Sequence, residues 1–298
     1  AMPVLFAVLI GTFGLSDYWG WRTAMIVAGA ICMLSGVAYF FLTQDTAEGN
    51  YKQLRAAGKL PDKKAAKGAF LAACKDRRVW ALFVIYAACF GIELTINNIA
   101  ALYFVDHFEF FKQMDTLEAV KLAGVFAALY GTMNLFARTL GGAVGDKCGA
   151  RWGLQGRVRW LFIALFCEGV SLMLFSQMTV LALAVPALIV FAAFVQMSNG
   201  ATFSVVPFVN KKALGSVAGI VGAGGNAGAV LAGFLFKTDA ISWPTALFLL
   251  GAIVTCSSFL AFSVNFSEAA ETEARTATEA AASQRRRTVE LAGATSGS

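Results

Sequence analysis

The sequence predicts an all-α membrane protein with about eight transmembrane helices, and three observations carry that expectation. First, 58% of the 298 residues are hydrophobic and 14% charged, with a mean hydropathy of +0.67. Soluble domains run near roughly 45–50% apolar and about 25% charged. Second, the apolar residues come in blocks, and a helix needs about 20 of them to cross a bilayer. The runs 24–42, 213–236 and 243–266 hold no charged residue. Third, the basic residues are shared unequally between alternate connections.

Breaks in polarity give segments near 1–15, 21–42, 79–105, 120–145, 158–176, 180–207, 213–236 and 243–266. With 43–78 placed inside, alternate connections also fall inside and hold nineteen of the twenty-four Lys and Arg. Nine lie in 43–78, four in 146–159, two at Lys211 and Lys212, and four in the tail. Outside remain Arg22, Lys112, Lys121 and Lys237, while Arg138 lies within a span. This asymmetry follows the positive-inside rule. It predicts a multi-pass protein of the cytoplasmic (inner or plasma) membrane with a cytoplasmic carboxyl terminus.

Two spans precede the long basic connection and six follow it. The first begins at Ala1 with no polar flank and no initiator methionine, as a helix cut at its beginning would. Six spans after a long cytoplasmic loop, with a matching set before it, is the plan of a major facilitator transporter. Such proteins place the substrate site between two six-helix halves, near mid-membrane. The expected organisation is then 1–42 as the last two helices of an amino-terminal half and 43–78 as a basic cytoplasmic central loop. Residues 79–266 would be the six-helix carboxyl half, and 267–298 a disordered cytoplasmic tail, small, polar and free of aromatics. Its Arg285-Arg286-Arg287 cluster could touch anionic lipid, but a plain solvated tail is the favoured reading.

The chemistry of soluble enzymes finds little support. The six cysteines (32, 74, 89, 148, 167 and 256) form no CxxC pair and mostly lie in apolar runs, as small buried hydrophobes do. The single histidine, His107, is expected in a loop, which argues against a histidine metal site or a catalytic triad. Gly222-Ala223-Gly224-Gly225-Asn226-Ala227 does fit a G-x-G-x-x-[G/A] template. A dinucleotide loop, however, needs a preceding strand and an acidic residue about twenty positions on. Here an uncharged span holds the motif, and Pro244 stands twenty residues after Gly224. The pairs Gly215/Gly219 and Gly224/Gly228 instead suit close, sliding helix contact. No cofactor, metal or nucleic acid is expected.

Charged side chains at bilayer depth cost about 2.5–3.5 kcal/mol each and tend to mark pathways or proton relays. The spans hold three, Glu93, Arg138 and Glu168; the plain alternative is an internal ion pair that locks helices together. Helical rise puts Glu93 about 21 Å and Tyr86 about 10 Å above the inner end of span 79–105. Arg138 falls about 11 Å above the inner end of span 120–145, and Gly222 near 14 Å in its own span. On these depths a direct Glu93–Arg138 pair is not the natural geometry, and Tyr86, Arg138 and Gly222 form one layer.

Faces agree with depths. Tyr86, Phe90, Glu93 and Asn97 share one helical stripe, and Gly131, Asn134, Arg138, Gly142 and Gly145 a second. Close packing through glycine would explain the second stripe, but not its arginine. Guanidinium stays protonated and offers a planar fork of donors. Beside a tyrosine hydroxyl and an aromatic face it suits a small flat anion such as nitrate or nitrite, and equally a carboxylate.

FGIELTINNIAALYFVDHF (90–108), MNLFARTLGG (133–142) and GIVGAGGNAGAVLAG (219–233) resemble the nitrate–nitrite porters of the major facilitator superfamily, most nearly the high-affinity nitrate permease branch. The resemblance implies that Arg138 is the nitrate-binding arginine of the eighth helix. It implies too that Tyr86 and Phe90, in the pattern Y-x-x-x-F-G ending at Gly91, line the substrate site. The run containing Gly222, Gly224, Gly225 and Asn226 matches the second nitrate signature, in the eleventh helix. GGAVGDKCGAR (141–151) matches the superfamily gating loop through Gly142, Asp146, Lys147, Gly149 and Arg151. The first nitrate signature and the second substrate arginine belong before Met2-Pro3, so the chain corresponds to helices 5–12 of 12.

By the same resemblance the protein is expected to be a monomeric secondary transporter. It would move nitrate, or nitrite, by alternating access, with a proton as co-substrate and membrane lipid as its surroundings. The proton needs a carboxylate apart from the arginines, with Glu93 the first candidate and Glu168 the second. Other readings are a nitrate/nitrite exchanger, a transporter of another small anion such as a carboxylate, and a non-transporting sensor or inactive remnant.

Overall fold

A computed structural model describes residues 2–59, 68–237 and 240–276, and every regular element among them is a helix. In chain order these are α1 (Met2–Phe13), α2 (Asp17–Leu42), α3 (Tyr51–Ala56), α4 (Ala69–Lys75), α5 (Arg77–His107) and α6 (Glu109–Lys112). They continue with α7 (Thr116–Thr132), α8 (Ala137–Ser176), α9 (Leu181–Val209), α10 (Leu214–Leu235) and α11 (Trp243–Ser258). Short 3-10 turns lie at Met133–Leu135, Lys211–Ala213 and Phe259–Ser263.

Six stretches among the described residues are long and apolar enough to cross a membrane, one of them the 61 residues Thr116–Ser176. That stretch turns back on itself. Gly153, at φ 70° and ψ −164°, breaks α8 in a region essentially open to glycine alone. The indole N–H of Trp160 donates to the carbonyl of Gly141 at 2.8 Å, whereas a straight helix would hold those residues about 28 Å apart. The two expected spans 120–145 and 158–176 are thus both present, joined by a sharper turn. The first expected span is α1, whose 12 residues fall short of the roughly 20 that a crossing needs.

Caps fix where the helices begin. The Asp76 carboxylate accepts the backbone N–H of Arg78 at 2.9 Å and starts α5, Asp115 does the same for α7 through Leu117, and Ser242 caps α11 ahead of Pro244. Burial alone would raise the Asp76 carboxyl. The side-chain and backbone hydrogen bonds of Arg78, with the charges of Arg78 and Arg77, outweigh it and hold the group below its ordinary 3.8. Arg78 also donates to the carbonyl of Val209 at 2.9 Å, tying the start of α5 to the end of α9.

α5 is the most buried of the candidate spans, and α2 the least. The core runs along α5 with α10, and along α8 with α9 and α11. Close backbone approach needs small residues. A Cβ on Gly91 would stand 2.6 Å from the backbone carbon of Gly228, and one on Gly228 would collide with the carbonyl of Ala87. That contact seats α10 directly on α5 and assigns Gly224/Gly228 the packing role their spacing suggested.

Three expectations are corrected here. His107 is the last residue of α5 rather than a loop residue, and its ring stacks on Tyr103 at 5.0 Å. The stretch 141–151, expected as a gating loop, is helical throughout, since the turn is delayed to Gly153. The tail is not disordered from 267 onward: residues 268–276 form a helical segment. Its Glu271 carboxylate accepts the backbone N–H groups of Leu154 (2.8 Å) and Gln155 (3.1 Å). These are unpaired donors at a helix start, where a negative charge is also favoured. Glu273 adds an ion pair to Lys211 at 2.9 Å. Residues 277–298, with the Arg285–Arg287 cluster, lie outside the described residues.

Candidate anion-binding site

The site is built on one face of α5. The rings of Tyr86 and Phe90, one turn apart, stack with centroids 5.0 Å apart and planes 4° from parallel. Phe203 of α9 meets Tyr86 edge-on at 5.1 Å. Gly225 of α10 makes room for this stack, since a Cβ there would lie 2.5 Å from Phe90 and 3.0 Å from Tyr86. Gly224 packs in the same way against the carbonyl of Phe83.

Across the stack stands Arg138. The helix that brings it is interrupted: α7 ends in the 3-10 turn Met133–Leu135, Phe136 leaves helical geometry at φ −129°, and α8 resumes at Ala137. The guanidinium carbon of Arg138 lies 5.6 Å from the ring centre of Phe90, within range of a cation–π attraction. Its Nη2 donates to Glu93 Oε2 at 2.7 Å. Glu93 also accepts from the amides of Asn134 (3.0 Å) and Asn199 (2.8 Å). The carboxylate side chain is 3% exposed and the arginine side chain 37%, so the pair is sealed behind and open in front.

This pair corrects the depth argument. The expected inner end of Arg138's span was residue 145, but the helix runs on to Trp152 before Gly153 turns it. Counted from there, Arg138 lies about 21 Å up, close to the roughly 24 Å of Glu93 above Arg77. The two charges are nearly level and the offset disappears.

Not every expected residue joins the cluster. Gly222 is half-buried with open space where a side chain would project, and Asn226 is exposed, its amide directed to the Gly222 carbonyl at 3.4 Å. Glu168, in the returning half of α8, is fully buried, and the Ser198 hydroxyl lies against its Oε2. Ser198 and Asn199 were not foreseen. The run Gln196–Asn199 is the polar interruption of an otherwise apolar span, and that signal was there to be read.

Residues 2–208 match the sequence profile of the Major Facilitator Superfamily. The chain belongs to that superfamily. As a member it is a multi-pass integral membrane protein. Among its relatives, High affinity nitrate transporter 2.5 of Arabidopsis thaliana is 35% identical over 258 residues, covering 86% of this chain and 49% of the relative. High-affinity nitrate transporter 2.3 of Oryza sativa subsp. japonica is 33% identical over 236 residues, 79% of this chain and 44% of the relative. Nitrate/nitrite transporter NrtP of a Picosynechococcus species is 35% identical over 153 residues, 50% and 26% of the two chains. The chain spans about half the length of the first two of these relatives.

The stretch 141–151 sits against the turn at Gly153. Asp146 pairs with Arg157 on the returning half of α8, and Gly149 leaves the space that the Arg157 side chain fills. Arg157 in turn lies 4.9 Å from the ring centre of Phe208 at the end of α9. Lys147 and Arg151 are exposed, and Gly142 half-buried. Together Asp146, Arg157 and Phe208 link the α8 turn to α9.

Proposed function

We propose that this protein moves nitrate, and nitrite as the related anion, across the cytoplasmic membrane by alternating access with a proton as co-substrate. One observation carries the reading: Arg138 presents a partly open guanidinium over the Phe90 ring while a buried carboxylate holds it from behind. A monovalent planar oxyanion can take two parallel N–H donors from such a fork. Its plane would pack on the Phe90 face, with the Tyr86 hydroxyl as a further donor. The Gly225 gap lets the aromatic pair lie flat beside the anion, and Gly222 and Asn226 would line its path.

In this proposal residues 1–42 end one half of the transporter, 43–78 connect the halves in the cytoplasm, and 79–266 form the other half. The tail is cytoplasmic. Asp146, Lys147 and Arg151, with Gly142 and Gly149, belong to the inner gate, which Arg157 closes onto the α8 turn. Glu93 and Glu168 are the two carboxyl groups available for the proton.

Nitrate/nitrite exchange is a second reading, favoured by the engagement of Glu93 with three donors, which leaves no free acid at the arginine. Counterflow of labelled nitrate without a pH gradient, set beside uptake driven by one, separates the two. For the main reading, Arg138→Lys in the complete gene product should abolish nitrate uptake while the protein still reaches the membrane. Near-normal uptake contradicts it.

A further inference from the structure

Two acids lie buried in the helical bundle, and their surroundings differ in kind. Among the described residues Glu93 is met only by donors: the Arg138 guanidinium and the amides of Asn134 and Asn199. The Asn199 amide spends its second hydrogen on the carbonyl of Val195 at 2.9 Å. Every contact around Glu93 therefore fits a carboxylate that keeps its charge.

Glu168 has no cation within ion-pair distance among the described residues. Among the described residues its Oε1 has no hydrogen-bond partner, and its Oε2 touches the Ser198 hydroxyl. That hydroxyl also lies 2.9 Å from the carbonyl of Val195. A hydroxyl owns one hydrogen, and a carbonyl can only accept. Both contacts of Ser198 are satisfied together when Ser198 donates to Val195 and Glu168 donates its own proton to Ser198. With Glu168 ionised, one contact becomes two acceptors face to face.

We propose that Glu168, positioned by Ser198, is the proton-binding site that couples proton entry to anion movement, while Glu93 remains the fixed counter-ion of Arg138. The proposal rests on the transport reading above and reverses the order in which the sequence ranked the two acids.

The coupling has a physical route. Ser198 and Asn199 are consecutive on α9, and they bond to Glu168 and Glu93 respectively. Ser198 of α9 touches Glu168, with Thr202 one turn on bonded to the Ser198 carbonyl, and the titratable groups within electrostatic reach are Cys89 and Glu93 of α5 and Tyr130 of α7. From α11 come Thr255 and Gly251, which pack on the adjoining Gly169 and do not titrate. The Arg138 guanidinium is matched by Glu93, whose charge acts on Glu168. An anion arriving at Arg138 adds negative charge to this region and favours the protonated form of Glu168. By reciprocity, a proton on Glu168 favours the anion. Proton and anion thus load together, as symport requires. When the site opens inward the proton leaves Glu168 for the cytoplasm, and the returning carboxylate opposes rebinding of the anion.

The test uses the complete gene product, reconstituted in liposomes for transport and in films for infrared difference spectra taken across a pH step. The wild type should show the stretch of a protonated carboxyl, which disappears in Glu168→Gln and persists in Glu93→Gln. Ser198→Ala should move that band and shift the pH midpoint of uptake, and Ser198→Thr should restore both. In transport, Glu168→Gln should lose pH-gradient-driven nitrate uptake about tenfold more than it loses nitrate counterflow, a size typical of coupled sites. A protonated-carboxyl band that survives in Glu168→Gln overturns the proposal, as does uptake that still follows the pH gradient in that variant. The band is read without nitrate, so a wild type that shows it but exchanges no nitrate supports the proton site and refutes the anion assignment instead.

Discussion

Glu93 and Arg138 form a 2.7 Å ion pair in which the carboxylate is buried and the guanidinium remains partly open. The asymmetry matters more than the pair. Two fully sealed charges would only lock α5 to α8, whereas an arginine oriented by its counter-ion and open on the other side is free to donate to a further acceptor. Replacing Glu93 by alanine should leave Arg138 without its anchor. Because the arginine is partly solvated, the cost should be about 1–3 kcal/mol, less than the roughly 3–5 of a wholly buried pair. Thermal unfolding in detergent measures it.

The glycines of α10 divide into two kinds, and substitution should separate them. Gly228→Leu forces a side chain into the Ala87 backbone, and such overpacking costs about 1–3 kcal/mol or more. Gly222→Ala meets open space, and alanine is the better helix former by about 1 kcal/mol. The first variant should lower the melting temperature and expression, while the second should leave the melting temperature unchanged or higher.

Acid should loosen the junction between the start of α5 and the end of α9. The folded value of Asp76 lies below its ordinary 3.8, so the stability it contributes is complete above that value and fades as pH falls through the lower folded one. In Asp76→Asn that part of the acid sensitivity should be missing. Unfolding midpoints of both proteins, measured from neutral pH down to the acid limb, give the comparison.

The turn at Gly153 and its cap should act together. Gly153→Ala forces an L-residue into a backbone region that costs about 1–3 kcal/mol. Glu271→Ala removes the carboxylate over Leu154 and Gln155, where lost caps cost about 0.5–2 kcal/mol. Glu271→Ala should also speed proteolysis within 268–276, read by mass spectrometry.

Much of the bundle was legible in the sequence, because composition and charge asymmetry report the bilayer directly. The helices around Tyr86, Phe90 and Arg138 follow from their apolar runs, and the i, i+4 stacking of Tyr86 on Phe90 from their spacing. What failed was the vertical scale. Polarity ends the span at Gly145, but the backbone stays helical through Asp146, Lys147 and Arg151, and only the positive φ of Gly153 turns it. That extension of about 10 Å hid the Glu93–Arg138 pair. The contacts of Ser198 and Asn199 depend on how α9 is rotated against α5 and α8, which periodicity along one helix does not determine. The helical start of the tail was hidden as well, since its capping partners Leu154 and Gln155 lie more than a hundred residues away.

The central claim is that Arg138 holds a planar anion, and nitrate binding to the purified full-length protein tests it most directly. Calorimetric titration should give saturable heat with nitrate in the wild type. In Arg138→Lys, which keeps the charge and loses the planar fork, affinity should fall about tenfold or more, the roughly 1.5–3 kcal/mol of hydrogen bonds to charged groups. Unchanged nitrate affinity in Arg138→Lys, with the fold intact by melting temperature, would contradict the account.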